Sequence, residues 1–405
     1  MIKRDKNQQS TSYIIDGVML ENPKSGNYYD LTEALESLEL HESISGLMYG
    51  KLVVINKSGL FEQRYVEADN TLKIKMYSTF KHKKEGKRFI REFVIDQYSD
   101  IFSHKSNTGV TELMFKSKGE YNNTFKRVSK SYKNAGTHTI VSDMLKLVGY
   151  RDEEMNIETT MYNRDIVIPS LTPLETIGFM KGHSVSGETK NKGDSNFYFY
   201  ESRDKVNFIS LSSMLNRDPV ATYNVCYDQS GLQHNTAITF TLDRAMNTTA
   251  QAKNGAYGIT VVSHSLVDKS IKHNRMTPDN IEQTFKPMTA NKAVDVSYNA
   301  SNVIRVESED QMYQFQNVGS NGNSVAIREI TGSRMMERKA QMRIGADSDI
   351  TVGDKITLFV DGSNGNSKAS GDWLVAEIKH MITKESWIMD MVLVSDGIKA
   401  TMKRD

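Results

Sequence analysis

The sequence predicts a mainly β protein with additional α+β regions. In the C-terminal part, apolar residues occupy every second position of two neighbouring stretches, namely Ile356, Leu358 and Val360, then Leu374, Ala376 and Ile378. Strands with one buried face require this alternation. A third apolar stretch follows at residues 387 to 395. Together these stretches predict a run of antiparallel strands that closes a small barrel.

Length and composition define the broad class of the protein. A chain of 405 residues is too long for one ordinary core, so we expect roughly two to four domains. The 51 basic and 50 acidic residues leave a net charge of +1, which argues against nucleic acid as the main partner. The single cysteine, Cys226, excludes an internal disulfide framework and fits folding in a reducing cytoplasm. The polar N-terminus predicts neither a signal peptide nor a membrane anchor.

The first part of the chain is predicted to form strands joined by short turns. Residues 31 to 38 could form a short helix. Residues 71 to 80 and 87 to 98 are expected to pair as a hairpin, because a charged turn ending in Gly86 separates them. Alternating strands joined in this way indicate a small barrel or sandwich.

The middle of the chain has a mixed α/β pattern. Residues 119 to 132 and 137 to 148 have helical spacing. Thr172 can cap a further helix that begins at Pro173 and runs to residue 181. A hairpin is expected over residues 196 to 210, so this region combines helices and strands.

The last part of the chain returns to strands after an irregular segment. Residues 218 to 265 have a strand pattern, and residues 266 to 333 are polar and irregular. Residues 333 to 346 have a helical pattern that leads into the closing strands.

The sequence contains no short catalytic or nucleotide-binding motif, so no catalytic residue, cofactor or metal ion is predicted. Cys226 and His234 could pair as a nucleophile and its base, but a small apolar strand residue explains Cys226 more simply. His264, His273 and His380 lack the spacing of zinc ligands. The oxygen-rich residues 361 to 367 lack the spacing of a calcium loop and are predicted to form a turn.

A basic run is the one electrostatic feature of note. It contains Lys73, Lys75, Lys81, Lys83, Lys84, Lys87, Arg88 and Arg91. One interpretation is a solvated hairpin whose charges discourage edge-to-edge aggregation. The other is a hairpin that faces a channel or a partner through Lys81, Lys83, Lys84, Lys87 and Arg88, where contact with DNA would be independent of base sequence.

Several stretches resemble the baseplate hub proteins of contractile-tailed bacteriophages, and they occur in the family's order. The clearest are SGDWLVAEIKH at residues 370 to 380, RVSKSY at 127 to 132, and FYFYESRDKVNFIS at 197 to 210. The resemblance covers about residues 12 to 396 and makes part of the stretch 31 to 38 an extended lead-in strand instead of a helix. Residues 182 to 195 and 286 to 303 show no matching pattern.

The resemblance implies two small tube-type antiparallel β-barrels in each subunit. The first would span residues 12 to 103, and the second would combine 218 to 265 with 334 to 402. An α/β domain would span 104 to 217 and an irregular insertion 266 to 333. Three subunits would form a ring that adapts a sixfold tail tube to a threefold central spike and lines the ejection channel. The implied location is the virion tail baseplate, after synthesis in the host cytoplasm.

The implied partners are two further copies of the chain, the central spike, the tail tube or its initiator, and other baseplate proteins. The tape-measure protein or DNA would pass through the channel. Three alternatives stay open, namely the hub of a phage-like contractile injection system, a cell-wall hydrolase and an adhesin. A hydrolase would need paired carboxylates such as Glu201 and Asp204. An adhesin would need exposed aromatic rings, for which residues 197 to 200 are the candidates.

Overall fold

A computed structural model describes residues 2–3, 13–56, 69–79, 86–103, 108–225, 235–243, 248–265, 269–281, 288, 303–308, 321–362, 365–366 and 369–397. The strands are β1 Ile2–Lys3, β2 Tyr13–Glu21, β3 Tyr28–Asp30, β4 Leu35–Ser43, β5 Tyr49–Asn56, β6 Thr71–Ser78, β7 Phe89–Ser103, β8 Thr108–Ser117, β9 Val128–Gly136, β10 Met155–Ile157, β11 Asn163–Leu171, β12 Phe197–Glu201, β13 Val206–Ser210, β14 Ala221–Val225, β15 Thr239–Asp243, β16 Ile259–Ser265, β17 Ser270–Met276, β18 Val303–Ser308, β19 Arg338–Gly345, β20 Lys355–Gly362, β21 Gly365–Asn366, β22 Gly371–Thr383 and β23 Trp387–Ser395. The α-helices are α1 Lys118–Thr124, α2 Thr137–Leu147, α3 Pro173–Lys181, α4 Leu211–Leu215, α5 Thr248–Lys253, α6 Pro278–Ile281 and α7 Asn321–Met335, and a 3-10 helix covers Asp152–Glu154.

Most strands belong to one large, mainly antiparallel sheet. Its spatial order is β1-β2-β6-β7-β8-β5-β4-β22-β23-β19-β15, with β3 beside β2, β20 beside β22, and β14 and β21 beside β20. Strands β4 and β22 pair along Ser37–Ser43 with His380 opposite Leu40. This pairing joins the N-terminal and C-terminal parts of the chain into one continuous sheet.

The large sheet curls, so that strands distant in its order come into contact. The hydroxyl of Tyr13 in β2 donates a hydrogen bond to the carbonyl of Thr383 at the end of β22. The ring of Tyr13 also packs edge-on against Trp387, with ring centroids 6.1 Å apart. The amide of Ser78, at the end of β6, donates a 3.0 Å hydrogen bond to the hydroxyl of Ser348, and the amide of Ser348 donates a 3.0 Å hydrogen bond to the hydroxyl of Ser78. The two hydroxyl oxygens are also 3.0 Å apart, within hydrogen-bond distance.

The main core lies inside this curled sheet and draws on both ends of the chain. Leu38 and Leu52 from the first part and Trp373 and Met389 from the last part are all fully buried in it. Because both parts of the chain bury apolar side chains in this one core, neither half of the sheet completes the core alone. Burial of apolar side chains is the main favourable contribution to folding. The mainly β fold class with α+β regions is therefore confirmed. The number of barrels stays a prediction.

The α/β region between the two parts has its own core. Helices α2 and α3 pack beside the hairpin β12–β13 and the two-stranded sheet of β9 and β11. Helix α3 begins as predicted, because the Thr172 hydroxyl accepts a 3.2 Å hydrogen bond from the amide of Glu175 and the Glu175 carboxylate accepts from the amide of Thr172. The predicted helix at 137 to 148 and the hairpin at 196 to 210 are also confirmed.

A third, smaller core lies between helix α7 and the sheet β17-β16-β18. Strand β16 pairs with β17 and β18 and not with the large sheet. The predicted boundary at residue 265 therefore cuts through a sheet that contains parts of both the second barrel and the irregular insertion. The other domain boundaries stay predictions.

Two local expectations differ from the structure, and one open alternative is decided. Residues 31 to 38 form no helix, and their extended alternative is confirmed from Leu35, where β4 begins and buries Leu38 and Leu40 on one side. The helical pattern over 119 to 132 holds only to Thr124, after which β9 begins at Val128. The helix predicted for 333 to 346 is wrong, because α7 ends at Met335 and the alternating burial of β19 follows.

Candidate functional site

Eight neighbouring strands of the large sheet carry a polar side opposite the main core. In spatial order they are β7, β8, β5, β4, β22, β23, β19 and β15. Side chains alternate across a strand, so every residue between two core residues points to this other side. We call it the polar face and define it by its charged side chains together with Tyr49 and His41, namely Asp96, Glu112, Lys116, Tyr49, Lys51, Glu39, His41, Glu377, Lys379, Asp390, Lys339, Arg343 and Asp243.

Cations of the polar face pair with carboxylates on neighbouring strands. The four pairs, with the distance between their charged atoms, are Lys116 and Asp96 at 3.1 Å, Lys51 and Glu112 at 2.8 Å, Lys379 and Glu39 at 3.0 Å, and Arg343 and Asp390 at 2.6 Å. Arg343 holds Asp390 through two N–H groups, so this pair is bidentate. Lys339 lies directly opposite Asp243 in the register of β19 and β15.

One row of side chains crosses all eight strands of the polar face. Its register positions are Val94, Lys116, Tyr49, His41, Lys379, Asp390, Arg343 and Thr239. The rings of Tyr49 and His41 stack near the middle of the row, with centroids 4.9 Å apart and planes at 3°. Burial, followed by the charge of Lys379, lowers the pKa of His41. The imidazole is therefore neutral near pH 7.

A trough of about 590 Å³ lies on the polar face between the turn that joins β4 to β5 and strand β15. Its lining includes His41, Tyr49, Lys379, Arg343 and Asp390. Small-molecule pockets are mostly apolar with a few polar groups, whereas this lining is largely polar and charged. Its composition fits a hydrated surface better than a pocket for an apolar ligand.

A buried hydrogen-bond network lies directly behind the polar face, at the junction of β4 and β22. The Glu42 carboxylate accepts a 2.6 Å hydrogen bond from the Thr351 hydroxyl and a 2.9 Å hydrogen bond from His380 Nε2. Trp387 Nε1 donates to His380 Nδ1 at 3.2 Å. An indole N–H can only donate, so Nδ1 of His380 accepts this hydrogen bond while Nε2 donates to Glu42. The network fixes the junction between the two parts of the chain.

The pKa of Glu42 follows from this network. Burial alone would raise the pKa of this carboxyl, but the hydrogen bonds from His380 and Thr351 outweigh burial and hold the pKa below its ordinary value. Glu42 is therefore a carboxylate inside the protein.

A second polar cluster joins the α/β region to the large sheet. The Glu201 carboxylate accepts hydrogen bonds from the amide of Met48 at 3.2 Å and the hydroxyl of Tyr150 at 3.3 Å, and lies 3.4 Å from Arg91. A cleft of about 470 Å³ lies in the same seam. Asp204 instead pairs with Arg203 at 2.7 Å. The two carboxylates considered for hydrolysis thus bind separate structural partners.

The aromatic residues considered for an adhesin are not exposed. Phe197 and Tyr200 are buried, and Tyr198 and Phe199 are partly buried. Phe197 packs against Phe208 in the α/β core, with ring centroids 5.0 Å apart. Residues 197 to 200 therefore contribute to packing.

Two of the five residues predicted to face a channel or a partner are described by the structure. Lys87 and Arg88 are exposed near the base of the hairpin between β6 and β7. The Lys87 amide donates a 2.8 Å hydrogen bond to Asp349, and the Arg88 guanidinium lies 5.3 Å from the ring centre of Tyr77. Lys81, Lys83 and Lys84 lie outside the described residues, as do Cys226 and His234.

Within the described ranges, no group of three or more His, Cys, Asp or Glu side chains is arranged to hold a metal ion. No helix in the same ranges is both long enough and apolar enough to cross a membrane.

The polar face itself was not predicted from the sequence. The signal was present in the polar half of each strand, where Glu39 and Lys51, or Lys379 and Asp390, occupy the positions between apolar residues. Strand pairing is needed to bring these charges together, because they are distant in the sequence.

Comparison with known proteins reveals a relative of similar length. No protein-family model matches the chain. The probable baseplate hub protein gp334 of Vibrio phage KVP40 is 22% identical over 381 residues, which cover 89% of each chain. The predicted resemblance to baseplate hub proteins is confirmed.

Solved structures share the fold at low sequence identity. The 43 kDa tail protein of prophage MuSo2 from Shewanella oneidensis superposes with a TM-score of 0.58 at 8% identity, over 94% of this chain and 98% of that one. A chain of the Francisella PdpA–VgrG complex gives a TM-score of 0.51 at 11% identity, over 99% of this chain and 61% of that one. The likeness in fold therefore includes the α/β region and the insertion, beyond the large sheet.

Proposed function

We propose that the chain is a structural baseplate hub protein of a phage tail. Three copies would form a ring that adapts the sixfold tail tube to the threefold central spike and lines the ejection channel. The observation that carries the proposal is the similarity to the Vibrio phage hub protein over 89% of both chains. Similarity of this extent is not limited to one shared domain.

The ends of the eight-stranded run support a ring. Among the described residues, β15 pairs with β19 alone, and the half of β7 beyond Gln97 pairs with β8 alone. Edge strands with an open side favour pairing with another chain. If β15 of one subunit pairs with β7 of the next, the contact is head-to-tail, which is the type of contact that forms a ring when the rotation between subunits closes.

The polar face supports a channel lining. It lies opposite the core on the strands that would close the ring, and its side chains are charged or polar on most positions. A sheet with one face in a core and the other in water fits this position. DNA or the tape-measure protein would pass along it.

The proposed partners are the central spike, the tail tube or its initiator, and other baseplate proteins. The role would be structural and not enzymatic, as the names of the hub and tail relatives suggest. The protein would be made in the host cytoplasm and end in the virion baseplate. A phage-like injection system is the second candidate, favoured by the likeness to a chain of the PdpA–VgrG complex.

Light scattering of the purified protein tests the ring directly, with a trimer as the expected species. Backbone hydrogen exchange should then show protection of β15 and of the second half of β7 in the trimer relative to a diluted monomer. A protein that stays monomeric both in solution and in the assembled tail would refute the proposal. Imaging of the assembled particle separates a phage tail from an injection system.

A further inference from the structure

The cations of the polar face already have carboxylate partners within the subunit. The defined face holds five cations and six carboxylates, so its net charge is −1 with His41 neutral. Four of the cations lie within 3.1 Å of a carboxylate oxygen on a neighbouring strand. The fifth, Lys339, lies opposite Asp243.

Stability does not explain why these pairs are present. Each side chain of the four pairs is between 22% and 42% exposed. Exposed ion pairs typically contribute only about 0 to 1 kcal/mol, because water and salt screen them. Their stronger effect is on the electrostatic potential of the face, since the field of a close pair of opposite charges falls off faster than that of a single charge.

Proteins bind DNA largely by neutralising phosphates with lysine and arginine, which releases bound counterions. A phosphate that bound Lys51 or Lys379 would lie close to the carboxylate of Glu112 or Glu39, which already contacts the same ammonium group. Because like charges repel, this carboxylate opposes the binding of phosphate.

We propose that the polar face lets double-stranded DNA pass without binding it, because four of its five cations are paired with carboxylates of the same subunit and the fifth, Lys339, lies opposite Asp243. This inference rests on the proposed function as a channel lining. It differs from the cationic contact considered for the hairpin lysines, since the described strands present no excess of positive charge on this face.

Removing three of the carboxylates tests the proposal. The variant Glu39→Gln/Glu112→Gln/Asp390→Asn keeps side-chain size and leaves Lys379, Lys51 and Arg343 unpaired, which changes the net charge of the face from −1 to +2. Binding is measured by the fluorescence anisotropy of a short labelled DNA duplex at about 50 mM salt. The natural protein should show no binding. The variant should bind, with a slope of log K against log salt of about −3 for each bound subunit.

A matched control removes three paired carboxylates from the α/β region. Asp143→Asn/Asp152→Asn/Glu153→Gln leaves Lys130, Lys146 and Arg151 without these partners and should bind no more DNA than the natural protein. Equal binding by both variants would refute the proposal, because total charge would then explain the effect. Failure of a folded face variant to bind would also refute it.

The inference and the proposed function can fail separately. Binding of DNA by the natural protein that is lost in Lys116→Gln/Lys379→Gln/Arg343→Gln would overturn the inference, while a trimer in the same sample would leave the hub proposal intact. Absence of a trimer at any concentration and in the particle would overturn the hub proposal. On the same samples, anisotropy measures DNA binding and light scattering measures trimer formation.

Discussion

The buried carboxylate of Glu42 accepts a 2.9 Å hydrogen bond from Nε2 of His380, a residue 338 positions later in the chain. Glu42 lies on β4 and His380 on β22, the two strands that join the parts of the large sheet. The pair lies directly behind His41 and Lys379 of the polar face, because neighbouring residues of a strand point to opposite sides. One strand junction thus holds both the core network and the middle of the polar face.

The first prediction is that Glu42→Gln destabilises the protein by about 1 to 3 kcal/mol near pH 7, as measured by urea unfolding. Glutamine keeps the size of the side chain but replaces one accepting oxygen with an amide NH2 group, which only donates, so one of the hydrogen bonds from His380 and Thr351 is lost. Glu39→Gln on the same strand is the control. Its carboxylate is exposed, and its loss should change stability by less than about 0.5 kcal/mol.

The pH dependence of Glu42 has a defined sign. Its pKa in the folded protein lies below the ordinary value, so its contribution to stability is complete above the unfolded pKa and is lost as the pH falls through the folded pKa. The difference in stability between the natural protein and Glu42→Gln should therefore shrink below about pH 4. A difference that stays constant from neutral to acid pH would contradict this account of the network.

The second prediction concerns Gly50 in β5, where a side chain has no room. A Cβ atom there would lie 2.2 Å from the carbonyl oxygen of Glu39 and 2.5 Å from the ring of Phe115. Gly50→Ala should therefore destabilise the protein by about 1 to 3 kcal/mol in thermal or urea unfolding. Gly46→Ala is the matched control, because nothing lies within 4 Å of its Cβ position. Equal effects of the two substitutions would show that the close approach of β4 and β5 is not required.

The third prediction is that Asp354→Asn stabilises the protein. Burial raises the pKa of Asp354 to about 6, although a hydrogen bond from the amide of Thr351 acts in the opposite direction. A folded pKa above the unfolded one means that stability falls as the pH rises from about 4 to 6. Asparagine carries no charge and removes this loss, so we expect a gain in stability of about 1 to 2 kcal/mol at pH 7. This gain is smaller than the free energy that corresponds to the full pKa shift, because the side chain is partly exposed.

The gain from Asp354→Asn should disappear at about pH 4, where the aspartic acid of the folded protein is also neutral. Asp372→Asn serves as the control, since the Asp372 carboxylate accepts a 2.7 Å hydrogen bond from the Thr357 hydroxyl. A loss of stability in Asp354→Asn at pH 7 would show that its charge is needed by Arg203 or Arg217 nearby.

Local patterns in the sequence predicted much of the secondary structure but not the strand partners. The cap of α3 was readable because Thr172 and Glu175 are three residues apart. The pairing of β4 with β22 was not, since alternation gives the face of a strand and not its neighbour. Strand β9 was missed because it buries only Val128 and Gly136. Strand β19 has the alternating apolar residues Ala340, Met342 and Ile344, but residues 333 to 346 also fit helical spacing, and the helical prediction is wrong.

The polar face illustrates the same limit for function. Lys379 and Glu39 are each ordinary exposed residues in the sequence, and only the pairing of β22 with β4 places their charged atoms 3.0 Å apart. A charge pattern that neutralises itself across strands cannot be read from one strand at a time.

The fourth prediction concerns Lys81, Lys83, Lys84, Lys87 and Arg88 in the hairpin between β6 and β7. Replacing all five with glutamine should leave trimer formation intact, because backbone hydrogen bonds fix the base of this hairpin. Gly86 donates to the carbonyl of Ser78 at 2.8 Å, and Lys87 donates through its amide to Asp349 at 2.8 Å. If the side chains contact a partner or a polyanion in a channel, tube docking or DNA passage should be impaired, as measured by tail assembly and genome ejection.

The control for this variant removes five exposed lysines elsewhere, namely Lys133, Lys190, Lys192, Lys205 and Lys253. It makes the same change in net charge, so an effect of total charge would appear in both variants. Impairment of the hairpin variant alone would support a specific contact. Unchanged assembly and ejection would support the solvated hairpin instead, whose charges then serve to discourage edge pairing. Loss of the trimer in the hairpin variant would contradict both interpretations, because it would place these side chains in the subunit contact itself.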